Sequence, residues 1–490
     1  MGIIMIIRKL LGLLFSKFRD LLQGRRPDTR HFIDFTDPAG FPFVINVPPG
    51  KSCTFNNMRI IEQKTIRLCD TYQYDNVIDE TFFQLYPNGR IPKTPETPER
   101  KTEVGGGVSA TCCAELWETF IATSKIPAPW RNEGFHYSCF VLDENRWSSP
   151  SWIWTNAAIG RYYSMNGKIA QLSELADHFL QKQLACGGWV VRYDFKGSNN
   201  RLSQTVAPND SAYICSNTLL PAFVATGEDA YLQSAIRCAD WIMNHGHDEF
   251  LIRIGYELET ASWDTSANIV DIGFSADLFV KLFQLTEEGH YLDFASRFIE
   301  RYLSVFYLGR GRLATAIDGN LKHRGTAVFT RGHAWALEGL IPYFAVTRDE
   351  KIRGVIDNIV ALLIKLQRSD GSWLHLHRPG PLQLLSGPDC KGTPVVAYSL
   401  VRWSGLNPLM KEDIRRSVSK ALLWSMQNTA TRGIGAGGIF SWNSEGALAG
   451  RGLTSAACVY SSAYAAEIVR NSMQLSAGVL DFSDMLKKIG

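Results

Sequence analysis

The stretch DIGFSADLFVKLFQLTEEGHYLDFASRFIERYL, residues 271–303, decides the fold. It reads as two helices, 266–286 and 288–306, folded back on each other at TEEG (286–289). In the second, apolar residues recur at three and four, the mark of one buried stripe. The same design returns along the chain. SMNG (164–167) and TGED (226–229) are equally short corners, and Gly beside an acid or Asn tolerates so tight a turn. YLQSAIRCADWIMNH and KIRGVIDNIVALLIKL repeat the striped second helix. Twelve helices are predicted: 108–124, 151–164, 168–184, 211–226, 228–246, 266–286, 288–306, 331–346, 348–368, 393–403, 411–428 and 455–471. They fall into six pairs with a period of roughly 60 residues, separated by Gly-, Trp- and Asp-rich stretches. No single hairpin buries its stripe, whereas a closed ring buries all of them. The expected fold is therefore all-α, an (α/α)6 toroid over 108–475, with an open helical solenoid as the alternative.

The flanks differ in texture. Residues 31–107 form an irregular extension: FPFVINVPPGKSCTF has the make-up of short strands, and 87–107 hold four Pro and four Gly, as a linker does. Residues 1–30 predict a basic amphipathic helix. Its first 26 residues carry six basic side chains and one acid, a local +5 that leaves −2 of the chain's +3 for everything else. Ile3, Ile4, Ile7, Leu11, Leu14, Phe18, Leu21 and Leu22 share one face, which fits an anionic membrane surface or a helix docked on the protein's own body. The charges interrupt the apolar run, so it is neither a secretory signal nor a bilayer span. Position 6 is Ile, which argues against myristoylation of Gly2. The ten Cys are scattered without a CxxC, as in a reduced, cytoplasmic protein, peripheral at the inner membrane face if the first helix binds lipid. With 45% apolar and 20% charged residues over 490 positions, the chain builds a core. Its small net charge argues against a nucleic-acid partner.

In a toroid the loops before the inner helices converge on one mouth, and four such segments carry chemistry. SSPSWIWTNAAIGRYY places Trp152 and Trp154 at a helix start. QTVAPNDSAYICSN places Asn209 and Asp210 at another, where a carboxylate is favoured as a cap and by the helix dipole. TASWDTSANIVDIGFSADLF contains Trp263, Asp264 and Asp271. Asp271 stands among Ile269, Val270, Ile272 and Phe274, a setting that raises a carboxyl pKa as a proton donor needs, unless a neighbouring helix satisfies it. FTRGHAWALEGL contains Arg331, His333 and Trp335, with Arg331 and Trp335 on one helical face. Arg beside Trp suits an acidic sugar, the fork for a carboxylate and the indole for a ring; the alternative is an Arg that caps or bridges helices. His323 and His333 are candidate metal ligands, but no HExxH or similar cluster accompanies them, and no cofactor is implied.

These segments resemble a known family. RGHAW (331–335) is similar to the RGQAW motif of the unsaturated glucuronyl hydrolases, glycoside hydrolase families 88 and 105, and DIGF (271–274) to their DxGF. Asp210 falls one hairpin earlier, where that family keeps a second essential Asp. SDGSW (369–373) and PDCKGTPVVAYSL (388–400) look like its later segments, with Lys391–Gly392 in place of small hydroxyl residues. The likeness spans about 110–470. His333 departs from the family's Gln and Asn209 from a frequent His. The resemblance implies hydration of the C4=C5 bond of a terminal unsaturated uronic acid in an acidic oligosaccharide. It makes Asp271 the acid/base, Asp210 the residue that orients the sugar and tunes Asp271, Arg331 a contact to the uronate or a neighbouring group, and Trp335 and Trp154 stacking walls. His333, Asn209 and Trp263 join them as substrate contacts. Two alternatives remain open. One is a polysaccharide lyase or uronyl epimerase on the same toroid, using His323, His333 or Tyr213 as base. The other is a non-catalytic glycan-binding protein of polysaccharide assembly at a membrane.

Overall fold

A computed structural model describes residues 110–127, 134–141, 146–147, 150–194, 204–324, 327–377, 389, 391–430, 435–443 and 454–475, with the backbone of five short strands between 32 and 66. The helix expected over 1–30 and the linker over 87–107 lie outside the described residues. Among the described residues twelve helices alternate between an inner and an outer ring. The inner helices are α2 (Ile153–Met165), α4, α6 (Asp271–Thr286), α8 (Thr330–Thr347), α10 (Gly392–Ser404) and α12 (Val459–Leu475). α4 runs from Pro208–Ile214 through a π turn, Cys215–Leu219, into Leu220–Thr226. The outer helices are α1 (Ala110–Thr123), α3 (Ile169–Lys182), α5 (Asp229–His245), α7 (Gly289–Phe306), α9 (Glu350–Leu366) and α11 (Lys411–Gln427).

The ring closes. Each inner helix packs on the next, and α12 returns to α2. α3, α5, α7, α9 and α11 each pack on the inner helix before them. α1 instead packs on α12, so the sixth hairpin joins the two ends of the domain. Burial follows this order. α7 buries one stripe, Tyr291, Phe294, Ala295, Phe298, Ile299, Tyr302 and Phe306. α6, packed on both flanks, buries every residue from Asp271 to Leu282. An inner helix therefore shows no polar face.

Two small-residue devices set the spacing. A Cβ on Gly273 would lie 2.0 Å from the Trp335 carbonyl oxygen, and one on Gly339 would lie 2.3 and 2.5 Å from the Ile272 and Gly273 oxygens. α6 and α8 can approach this closely only because both positions lack a side chain. On the outside, Gly187, Gly311, Gly371 and Gly437 all adopt left-handed backbone, φ from +76° to +99°. Each sits against a carbonyl of the next outer helix: Arg237, Asn358, Lys420 and Leu116. Gly437 thus treats α1 as the successor of α11. Around two of them the packing is a true repeat. Gln183 and Gln367 bond the Gly187 and Gly371 carbonyls and the Ser234 and Ser417 carbonyls, while Trp189 and Trp373 donate to Phe179 and Leu363.

The corners refine the expectation. Gly167 and Gly227 take the left-handed turn at φ 65° and 75°. In TEEG it is Glu287 that does so, at φ 58°, while Gly289 opens α7. α6 begins at Asp271 rather than 266, because Ser262–Asp264 and Ala267–Asn268 are strands. Short antiparallel ladders of this kind precede the inner helices. In the extension, Pro42–Asn46 and Ser52–Phe55 are strands, as its composition implied. Among the described residues no helix is long and apolar enough to cross a membrane.

The close approach of α6 and α8 can be tested by a pair of substitutions. Gly339→Ala forces a methyl into the α6–α8 backbone contact and lowers the unfolding free energy in urea by about 1–3 kcal/mol. Gly354→Ala, where nothing lies within 4 Å of the added methyl, stabilises α9 by about 0.5–1 kcal/mol. Equal effects at the two sites would refute the account of the contact.

Candidate active site

Asp271 and Asp210 both sit in first turns of inner helices, so both face the mouth end of the ring. A strand, Ala267–Asn268, delivers Asp271. Its Oδ2 accepts the Asn268 N–H at 2.5 Å, and the Tyr302 hydroxyl donates to the Ile269 carbonyl at 2.5 Å, which pins the turn from α7. No donor among the described residues reaches Oδ1. Asp271 is 2% exposed. Burial pushes its pKa well above the carboxylate range; the Asn268 N–H opposes this, and the negative charges of Asp210 and Asp264 add to it. Asp210, half-buried just after Pro208, is pushed up to about 7 by burial. Asp271 therefore senses a carboxylate 61 positions earlier in the chain, and its own protonated form is favoured.

Aromatic side chains wall this space. Trp154 of α2 packs edge-on to Tyr460 of α12, centroids 5.0 Å apart. Trp335 of α8 donates its indole N–H to the Tyr460 hydroxyl at 2.8 Å and meets Phe274 edge-on at 5.9 Å. Phe274 stacks on Tyr213 at 3.7 Å. Both tryptophans are half-buried. Tyr460 belongs to no motif and has no sequence signal beyond its helix.

Three residues expected to touch substrate are placed elsewhere. Arg331 is 1% exposed, its Nη1 3.6 Å from Asp389 Oδ1 and its guanidinium 5.0 Å from the Trp335 ring centroid. It backs the tryptophan wall instead of reaching into the mouth. Asp389 in turn accepts the Gly392 N–H at 2.7 Å and meets His375 Nδ1 at 3.4 Å. Burial alone would raise its carboxyl, but Arg331, His375 and that N–H hold it down at about 2. His333 is fully buried: Nδ1 lies 2.7 Å from the Phe329 carbonyl and Nε2 accepts the Leu313 N–H at 2.9 Å. Both ring nitrogens are committed, so it offers a lone pair to neither sugar nor metal. Trp263 lies on the flank, stacked on Trp241 at 5.6 Å, in a groove of about 530 Å³ with Arg237, Asp240, Asn244, His245 and Tyr256. Asn209, 4% exposed, adjoins Asp210, and its Oδ1 has no hydrogen-bond partner among the described residues. Among the described residues no three His, Cys, Asp or Glu side chains gather as a metal site requires.

No known family profile matches the chain, and no curated protein does. Solved structures share its fold. Cellobiose 2-epimerase from Bacillus thermoamylovorans is 12% identical with a TM-score of 0.59, over 74% of this chain and 99% of that one. The unsaturated glucuronyl hydrolase of Bacillus sp. GL1, responsible for glycosaminoglycan degradation, is 12% identical with a TM-score of 0.58, over 76% and 98%. A possible member of family 105 from Klebsiella pneumoniae is 16% identical with a TM-score of 0.54, over 79% and 97%. At such identities the likeness is one of architecture, the closed ring of six hairpins.

The burial of His333 predicts a pH effect on stability. Its pKa is lowered from 6.5 to about 4, chiefly by burial. Between those values the unfolded chain binds the proton that the folded chain refuses, so stability falls as pH drops through this window. From pH 7 to pH 5 this one group accounts for roughly 2 kcal/mol, at 1.36 kcal/mol per pK unit. His333→Gln should remove that part of the slope in urea unfolding at pH 7, 6 and 5. An unchanged slope would mean that His333 is protonated in the fold.

Proposed function

We propose that this chain is a carbohydrate-active enzyme that hydrates the C4=C5 bond of an unsaturated uronic acid at the end of an acidic oligosaccharide. The observation that carries the reading is Asp271: a buried carboxyl with a raised pKa, one oxygen fixed by the Asn268 N–H, facing a second carboxyl across an aromatic-walled mouth. A proton donor to carbon needs those properties at neutral pH. Asp271 gives its proton to C4 of the enol ether, and positive charge develops at C5, shared with the ring oxygen. The ionised Asp271 then takes a proton from the water that attacks C5. The hemiketal so formed opens and releases the rest of the saccharide. Asp210 orients the sugar, and its charge keeps the proton on Asp271 before the reaction begins. Trp154 and Trp335 stack against the rings. Arg331 and Asp389 hold Trp335 in place from behind.

The likeness to a cellobiose 2-epimerase favours a second reading, proton abstraction on the same fold. Its candidate bases are poorly disposed. His333 is committed to backbone, the His323 Nε2 lies 2.6 Å from the Val305 carbonyl, and Tyr213 is buried with a pKa well above 10. The hydrolytic reading uses groups that the mouth presents.

The test is incubation with lyase-generated unsaturated disaccharides, following loss of enol-ether absorbance. Asp271→Asn should lower turnover at least about a thousandfold while the thermal midpoint holds or rises, because a buried carboxyl is removed. The rate should fall as pH rises through the pKa of Asp271, since the protonated form is the active one. Asp210→Asn, by removing a neighbouring negative charge, should move that fall to lower pH. Full activity in Asp271→Asn would refute the assignment. Binding without turnover, unchanged by that substitution, would make the protein a glycan-binding module instead.

A further inference from the structure

Arg331 was the natural partner for a substrate carboxylate, yet its ion pair with Asp389 and its burial take it out of reach. A different cation stands at the mouth. Lys391, only 9% exposed, immediately precedes α10, and its Nζ lies 5.2 Å from the centroid of the Trp154 ring. Neither a hydrogen bond nor an ion pair joins it to any described residue, while the nearby carboxylate, Asp389, is already engaged by Arg331, His375 and the Gly392 N–H. A lysine nine-tenths buried with no counter-charge among the described residues is costly. The arrangement is relieved when an anion arrives, and the positive end of the 13-residue helix α10 adds to the attraction.

We propose that Lys391 is the specificity-determining cation of this mouth, binding the carboxylate of an acidic sugar whose ring stacks on Trp154. The inference rests on the uronate reading above. It assigns to Lys391 the recognition that sequence reasoning gave to Arg331, at a position where the resembling family carries a small hydroxyl residue. The sugar's carboxylate would accept from the Lys391 ammonium, while the apolar face of its ring covers the indole.

Calorimetric titration of Asp271→Asn protein, which holds ligand without turning it over, tests this with an unsaturated uronyl disaccharide and its methyl ester. With Lys391 present the acid should bind at least about tenfold tighter than the ester. Lys391→Gln should weaken the acid roughly ten- to a hundredfold and the ester less than about threefold, the cost of one charge-assisted hydrogen bond. Lys391→Arg should restore most of the preference. Equal losses for both ligands, no loss, or no binding of either ligand before Lys391 is changed would overturn the proposal. Should Lys391→Gln fail to fold, by circular dichroism, the Arg variant decides: an acid preference that rises in salt, or vanishes with the charge retained, overturns it. Turnover by the unmutated protein separates the two claims. An acid preference lost in Lys391→Gln without any turnover upholds the lysine and sinks the reaction; turnover with an unchanged preference does the reverse.

Discussion

Six helices set around an axis leave a space between them, and in this chain one guanidinium organises the filling. Arg161 of α2 reaches Glu467 of α12 at 2.9 Å and Glu338 of α8 at 3.0 Å. It bonds the hydroxyls of Tyr213 of α4 and Tyr464 of α12 at 3.4 and 3.3 Å, and lies 4.1 Å over the rings of Tyr464 and Tyr398, the latter from α10. Five of the six inner helices therefore meet at one charge. The sixth, α6, supplies Asp277 and Lys281, paired at 2.6 Å, and Lys281 also bonds the Ser216 carbonyl that the π turn of α4 leaves open. Charges buried so deeply are tolerated only as a set, because each alone would cost several kcal/mol of desolvation.

The hub extends to the mouth through hydroxyls. Trp335 donates to Tyr460, Tyr460 to Tyr464 at 3.1 Å, and Tyr464 to Glu338 at 2.8 Å. The wall of the site is thus oriented by the same network that fixes the ring, and the Arg331 guanidinium lies 5.0 Å over the indole. The candidate site follows from this rigidity. Inner helices held parallel present their first turns together, and those turns bring Asp210 and Asp271 into one poorly hydrated space. There desolvation raises the pKa of both carboxyls, an effect that neither short segment could produce in water.

Local features were legible in the sequence because local rules govern them. Striped outer helices, tight corners and the carboxyl of DIGF all follow from spacing and composition. Contacts between distant segments were not. Closure itself was expected from the six hairpins, but no periodicity marks α1 and α12, some 350 positions apart, as the pair that makes it. RGHAW read as a substrate-facing surface, but Arg331 and His333 point into partners supplied by Asp389 and Leu313. Trp263 follows a hairpin to the flank. Arg161, Glu338 and Glu467 sit in apolar helices where each looks like an isolated polar intruder; only the assembled ring pairs them. Lys391 was visible as a departure from the family pattern, and the role proposed for it depends on Arg331 being occupied.

The central claim is that ring closure keeps the Asp271 carboxyl protonated. Infrared difference spectroscopy of the protein against Asp271→Asn, titrated with pH, measures this directly. The account predicts a protonated carboxyl band at neutral pH that is missing in the variant and titrates well above the ordinary carboxylate range. Absence of that band, with titration near the ordinary value of about 4, would contradict it.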